Sequence, residues 1–136
     1  MQPQRPPQQI VDERVAIMKS YVNTLIQSGK VVGGNGTVAE ALDRVAAARA
    51  ASANLSRLFP RGTAPGDAGV VGTRALPPVW ADPTDFAAKA QSLETAWAGL
   101  EAALRANSVE QTKAAIDPVK KACLACHATY RAPDKS

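Results

Sequence analysis

Asp82-Pro83-Thr84-Asp85-Phe86, followed by Ala90, Leu93, Trp97, Leu100 and Leu104, is the clearest helix signature in the 136-residue chain. Asp82 can accept a hydrogen bond from an unpaired N–H at a helix start, and Pro83 suits the first helical position, where no N–H is needed. From Phe86 onward the apolar residues recur at steps of 4, 3, 4, 3 and 4. That spacing puts them all on one face of an α-helix, and such a face must be buried against a neighbour.

Three other segments repeat the pattern. In the first, Val11, Val15, Met18, Val22 and Leu25 form a stripe that Gly33-Gly34-Asn35-Gly36 terminates. Thr37-Val38-Ala39-Glu40 opens the second with a capping box, in which Thr37 and Glu40 satisfy free N–H groups. Its stripe is Val38, Leu42, Val45, Ala48, Ser52 and Leu55, and the helix is expected to end near Leu58, before Phe59-Pro60. Arg49 falls beside that stripe and is expected at the core's edge or in solvent. The last segment is capped by Ser108 with Gln111 three residues on, and its stripe is Thr112, Ile116, Val119, Cys123, Cys126 and Tyr130. Pro118 should kink it or break its ladder near Ala114.

Between Pro60 and Pro78 the chain holds four Pro and four Gly without a sustained period, a loop long enough that it should cover something. Two short connections and one long one join four amphipathic helices. The expected fold is all-α, an antiparallel up-down four-helix bundle over residues 10–132. Residues 1–9 read as an extended Pro/Gln tail and 133–136 as a flexible end.

Composition agrees. Alanine makes up 27 residues and aromatics only six, which favours close-packed helices over sheet. No apolar run approaches the ~20 residues that span a bilayer. The net charge is +4, with basic residues scattered and no aromatics among them, which makes no case for nucleic acid and suits docking on an acidic protein. The first residues have no apolar h-region. The chain is therefore either cytosolic, or a mature exported protein whose signal has been replaced by a starting Met.

Chemistry must pass through few side chains: one His, two Cys and a single internal Met. Cys123-Leu124-Ala125-Cys126-His127 has the spacing of covalent haem attachment. Thiols at i and i+3 share a helix face and can add to two vinyl groups, and the next residue offers an imidazole to the iron. Both cysteines belong to the inward stripe, so the haem would enter the bundle interior near one end. A redox dithiol wants its pair at a helix start after a strand, a zinc site wants more ligands, and a disulfide over three helical residues would be strained. Met18 has two readings, a flexible core filler or a thioether ligand to iron.

On these residues the chain resembles the class II cytochromes c, the family of cytochrome c′ and of low-spin relatives such as cytochrome c-556. The resemblance runs from about Val11 to Arg131. Its most specific part is the C-terminal placement of Cys123-Leu124-Ala125-Cys126-His127, followed by Ala128-Thr129-Tyr130-Arg131. Leu58-Phe59-Pro60 and Pro78-Val79-Trp80-Ala81-Asp82 match less specifically. The resemblance implies one covalent haem c per chain, bound through Cys123 and Cys126 with His127 as proximal ligand. Met at position 18 makes the chain similar to the low-spin branch, in which this residue binds iron. Val15 departs from the Gln that cytochromes c′ often place there. By the same resemblance Arg14 would lie near the haem propionates and Arg131 near the proximal ligand, while Trp80, Phe86 and Trp97 would pack on the macrocycle or on other helices.

The function implied is electron transfer by a low-spin His127/Met18 haem, without enzymatic turnover, to redox partner proteins bearing acidic docking surfaces. The alternative is a five-coordinate cytochrome c′ that binds NO or CO, which requires that Met18 not ligate iron. Family members are exported before haem attachment, which implies the periplasm, and often dimerise through their first two helices. The small-residue run from Ala46 to Ala53 is compatible with a homodimer.

Overall fold

A computed structural model describes residues 5–132. Helix α1 spans Pro7–Val32 and α2 spans Val38–Ala53. After a 3₁₀ turn at Leu55–Leu58 and a long loop come a one-turn helix α3 (Pro78–Ala81), α4 (Pro83–Arg105) and α5 (Val109–Tyr130). The four long helices form the bundle: α1 packs on α2 and α5, and α4 lies between α2 and α5. Among the described residues no helix is long and apolar enough to cross a membrane.

The expected caps form. Thr37 accepts from Glu40 N, Asp82 from Asp85 N, and Ser108 from Gln111 N. Trp97, Leu100, Val45, Ala41 and Val119 are fully or almost fully buried at the centre. Small residues such as Ala41 and Ala48 on α2 let it approach α4 closely. Arg49, exposed at the edge of that seam, bridges Glu94 and Glu101 across it (2.7 and 3.2 Å).

Three features differ from the sequence-based expectation. Helix α1 starts at Pro7, so residues 7–9 are helical rather than part of a tail. Pro7 at the helix start needs no donor, and Gln8 pairs with both backbone groups of Val71 (2.7 and 3.0 Å), which holds the first turn in place. Of the remaining expected tail, residues 5–6 are exposed and non-helical; residues 1–4 and the C-terminal 133–136 lie outside the described residues.

The buried face of α1 also differs. It runs through Val11, Arg14, Tyr21, Thr24, Ser28 and Val31, with Val15, Met18 and Leu25 half-buried and Val22 57% exposed. Polar residues occupy the inner face because each has an internal partner: Tyr21 hydroxyl meets Ser52 Oγ at 2.8 Å, while Thr24 and Ser28 donate to their own helix. An aliphatic-only reading of periodicity could not see that.

Third, α2 stops at Ala53 and continues as the 3₁₀ turn. Three residues per turn bring Leu55 and Leu58 onto the same inward side, and both are buried. As expected, Pro118 interrupts the ladder of α5 at Ala114, while the helix itself continues to Tyr130. Pro118 and Ala114 are both exposed, so water can satisfy the carbonyl that the ring deprives of its partner.

Candidate functional site

Cys123 and Cys126 lie one turn apart on α5 as free, half-buried thiols. They face different apolar neighbourhoods. Cys123 packs against the main core, together with Met18, Ile17 and Ala122. Cys126 packs against a second cluster built from Val79, Phe86 and Tyr130, with Phe59, Ala75 and Trp80 beside them. The site therefore lies at the end of the bundle where α1, α4, α5 and the long loop converge.

Burial pushes both thiols up, Cys126 to about 11, with the neighbouring Cys123 adding to its shift. Lys89 on α4 acts the other way on Cys126. His127 is half-buried, and Arg131 reaches back one turn to within 3.4 Å of its Nδ1. Met18 is half-buried on α1, in the same core cluster as Cys123. Met18 and Cys123 thus share one core cluster, whereas Cys126 belongs to the other.

The second cluster is aromatic. Phe86 stands edge-on to Phe59 (centroids 4.7 Å apart) and to Tyr130 (5.1 Å), and Phe59 is 6.3 Å from Trp80. Quadrupoles favour such edge-to-face contacts. Tyr130 donates to the Asp85 carboxylate, tying α5 to α4, and that bond with its burial raises the phenol to about 12. Trp80 and Phe86 both belong here, whereas Trp97 lies in the main core, 5.6 Å from Tyr21. The Trp97 Nε1–H is buried without an acceptor among the described residues.

The loop closes this end. Leu76 N–H donates to Tyr130 C=O (2.9 Å) and Ala132 N–H to Arg74 C=O (2.8 Å), an antiparallel bridge just past the cysteine-bearing helix. Arg14, expected as a propionate partner, is 3% exposed and turned into the loop. Its Nη1 donates to Leu58 C=O (2.9 Å) and Thr63 Oγ1 (2.8 Å), and its Nη2 to Thr63 C=O (2.6 Å) and Thr73 Oγ1 (2.9 Å). The guanidinium lies 4.3 Å from the Phe59 ring centre. Burial holds its pKa down to about 10.

Thr63, Phe59, Lys89 and Asp85 were not among the residues assigned to the site from sequence. Thr63 has no local signature, since its role depends on a residue 49 positions away. Phe59 was visible as part of Leu58-Phe59-Pro60, but its stacking on Arg14 was not.

The donor set fits a covalently held haem. It comprises two unpaired thiols on one helix face, an imidazole on the following residue, and apolar and aromatic walls on both sides of the thiols.

Comparison with known proteins agrees. The sequence pattern of the family described as Cytochrome C′ matches residues 9–131. A cytochrome c-554 of Cereibacter sphaeroides (strain ATCC 17023) is 38% identical over 84 residues, 62% of this chain and 53% of that protein. A second cytochrome c-554 of Cereibacter sphaeroides is 37% identical over 84 residues, covering 62% of this chain and 61% of its own length. Both matches thus span less than two thirds of those relatives. Among solved structures, cytochrome c′ from Rubrivivax gelatinosus superposes with a TM-score of 0.79 at 26% identity, over 96% of this chain and all of that one. A nitric oxide complex of a leucine-to-isoleucine variant of cytochrome c prime from Alcaligenes xylosoxidans gives the same TM-score, identity and coverage.

Proposed function

Because the chain belongs to the cytochrome c′ family, we propose that it is a monohaem c-type cytochrome whose α1-facing side admits a small diatomic gas such as NO or CO. The observation that supports this reading is the bundle's likeness, over nearly the whole chain, to cytochromes c′ solved as nitric oxide complexes. A bound haem supplies an iron that exchanges one electron and accepts axial ligands. The chain's own residues do the rest. Cys123 and Cys126 would hold the group by thioether bonds formed with its two vinyl groups. His127 would offer its imidazole to the iron, and Arg131 steadies the ring from one turn on. The aromatic cluster of Phe59, Phe86 and Tyr130 excludes water from the Cys126 side. We further propose that the protein is not an enzyme. Its one histidine belongs to the attachment motif, leaving no second imidazole for acid–base work on the α1 side.

The test is the visible spectrum of the ferrous protein with and without CO. The expected result is a shifted, intensified Soret band on adding CO. A sharp low-spin spectrum that ignores CO would overturn the reading.

A second reading rests on one residue. Met18 packs in the same core cluster as Cys123, and its thioether is a soft ligand suited to iron. In that reading His127 and Met18 both bind, the coordination shell is closed, and the protein only transfers electrons to partners with acidic docking surfaces. In either reading the family supports a periplasmic location, and a homodimer through α1 and α2 is compatible with the exposed Val22 and Ile26.

A further inference from the structure

Arg14 is a buried cation whose bonded partners are all uncharged. Two backbone carbonyls and two threonine hydroxyls take its four terminal N–H bonds, and an aromatic ring covers one face. A guanidinium presents five donors in a fixed fork, so only its Nε–H is left for any other acceptor. The acceptors all lie between Leu58 and Thr73, the stretch that contains Gly62, Gly66, Gly69 and Gly72 at positive φ. Such a stretch is conformationally loose by composition. At its far end the loop is bound to the backbone just past His127 through Arg74, Leu76, Tyr130 and Ala132. It thus forms a strap running from α1, one turn before Met18, to the end of the cysteine-bearing helix.

We propose that Arg14 is a positioning residue, the latch that seats this strap over the aromatic cluster. Thr63 is the receiving half of the latch. It is 1% exposed, its hydroxyl accepts from Arg14 and donates to Pro60 C=O (2.7 Å), and its carbonyl takes the shortest of the four bonds. Pro60 C=O also accepts from the Trp80 indole (3.2 Å), so the latch reaches the wall against which Cys126 packs. A loosened strap admits water to that end. Water stabilises the more highly charged ferric state, so the reduction potential falls.

The experiment compares Arg14→Gln, Thr63→Val and the double variant in the purified haem protein, reading amide exchange and reduction potential. Thr63→Val removes the receiving hydroxyl but no charge. The expected result is at least tenfold faster exchange at Asp67 and Val70 in both single variants, a lower potential in both, and a double variant no worse than Arg14→Gln alone. If Arg14 instead binds a carboxylate of the group, Arg14→Gln alters the potential and its pH dependence while Thr63→Val leaves exchange and potential at wild-type values. That pattern overturns the proposal, as would unchanged exchange in both variants. The latch rests on the haem reading only through the potential. The exchange arm reads the strap whether or not haem is present, so failure of the two readings is distinguishable. Should Arg14→Gln not fold, Thr73→Val removes another of its acceptors and carries the same expectations.

Discussion

Cys123 and Cys126, one turn apart on α5, pack on opposite sides of a boundary: Cys123 against the bundle core and Cys126 against the aromatic cluster under the loop. A group bonded to both must straddle the two neighbourhoods. Each thioether should therefore hold it independently. Cys123→Ala and Cys126→Ala should each retain haem through acid-acetone extraction, with the alkaline pyridine spectrum moved to longer wavelength by one unreacted vinyl. The double variant should release its haem. Loss of haem from either single variant would show that one bond alone does not suffice.

Met18 separates the two ligation readings. With an iron open on the α1 side, Met18→Ala should leave the ferric spectrum high-spin, as in the wild type, and change CO affinity only by enlarging the space on that side. If Met18 is a ligand, the same substitution should turn a low-spin spectrum high-spin and create a CO response absent before. Electronic spectra of the two proteins with and without CO decide the matter.

Before haem is attached, the buried thiols should be poor nucleophiles. Cys126 rises from an ordinary 9.0 to about 11, so at neutral pH its thiolate fraction is about 100-fold below that of an unfolded cysteine. Iodoacetamide should label Cys126 correspondingly more slowly in the folded protein than in urea. The sign for stability follows. Between pH 9 and 11 this thiol ionises in the unfolded chain and not in the folded one, so its contribution to the stability of the haem-free protein is fully present below pH 9 and is lost as pH rises toward 11. The denaturant midpoint of the wild type relative to Cys126→Ala should fall over that range, and a relative midpoint that rose would contradict the burial of this thiol.

Tyr21 joins α1 to α2 and to the core tryptophan. Its hydroxyl donates to Ser52 Oγ, which itself donates to Ala48 C=O, and its ring lies 5.6 Å from Trp97. Tyr21→Phe removes one buried hydrogen bond and should cost about 1 kcal/mol. Tyr21→Ala also opens a cavity beside Trp97 and should cost about 3–5 kcal/mol. Urea unfolding at constant m-value distinguishes the two. Equal costs would mean that the ring contributes no packing.

How much of this was legible in the chain depends on how far apart the interacting residues are. The caps at Thr37, Asp82 and Ser108, the stripes of α2, α4 and α5, and the Cys123-Cys126-His127 triplet are all local patterns. Helical geometry converts such patterns directly into faces and ends. The bundle and the haem chemistry were readable for that reason. The face of α1 was not, because Arg14, Tyr21 and Ser28 are polar, and polar residues are buried only where a partner from elsewhere or from their own backbone accepts them.

The sequence by itself determined the helices, their inward faces on α2, α4 and α5, and a covalent attachment site near the C-terminus, because each is set by spacing within a few turns of one helix. Only the tertiary structure decided what the long loop covers and where the Arg14 charge goes. Both depend on contacts between residues 44 to 59 positions apart, and no periodicity in the chain encodes a pairing across that distance.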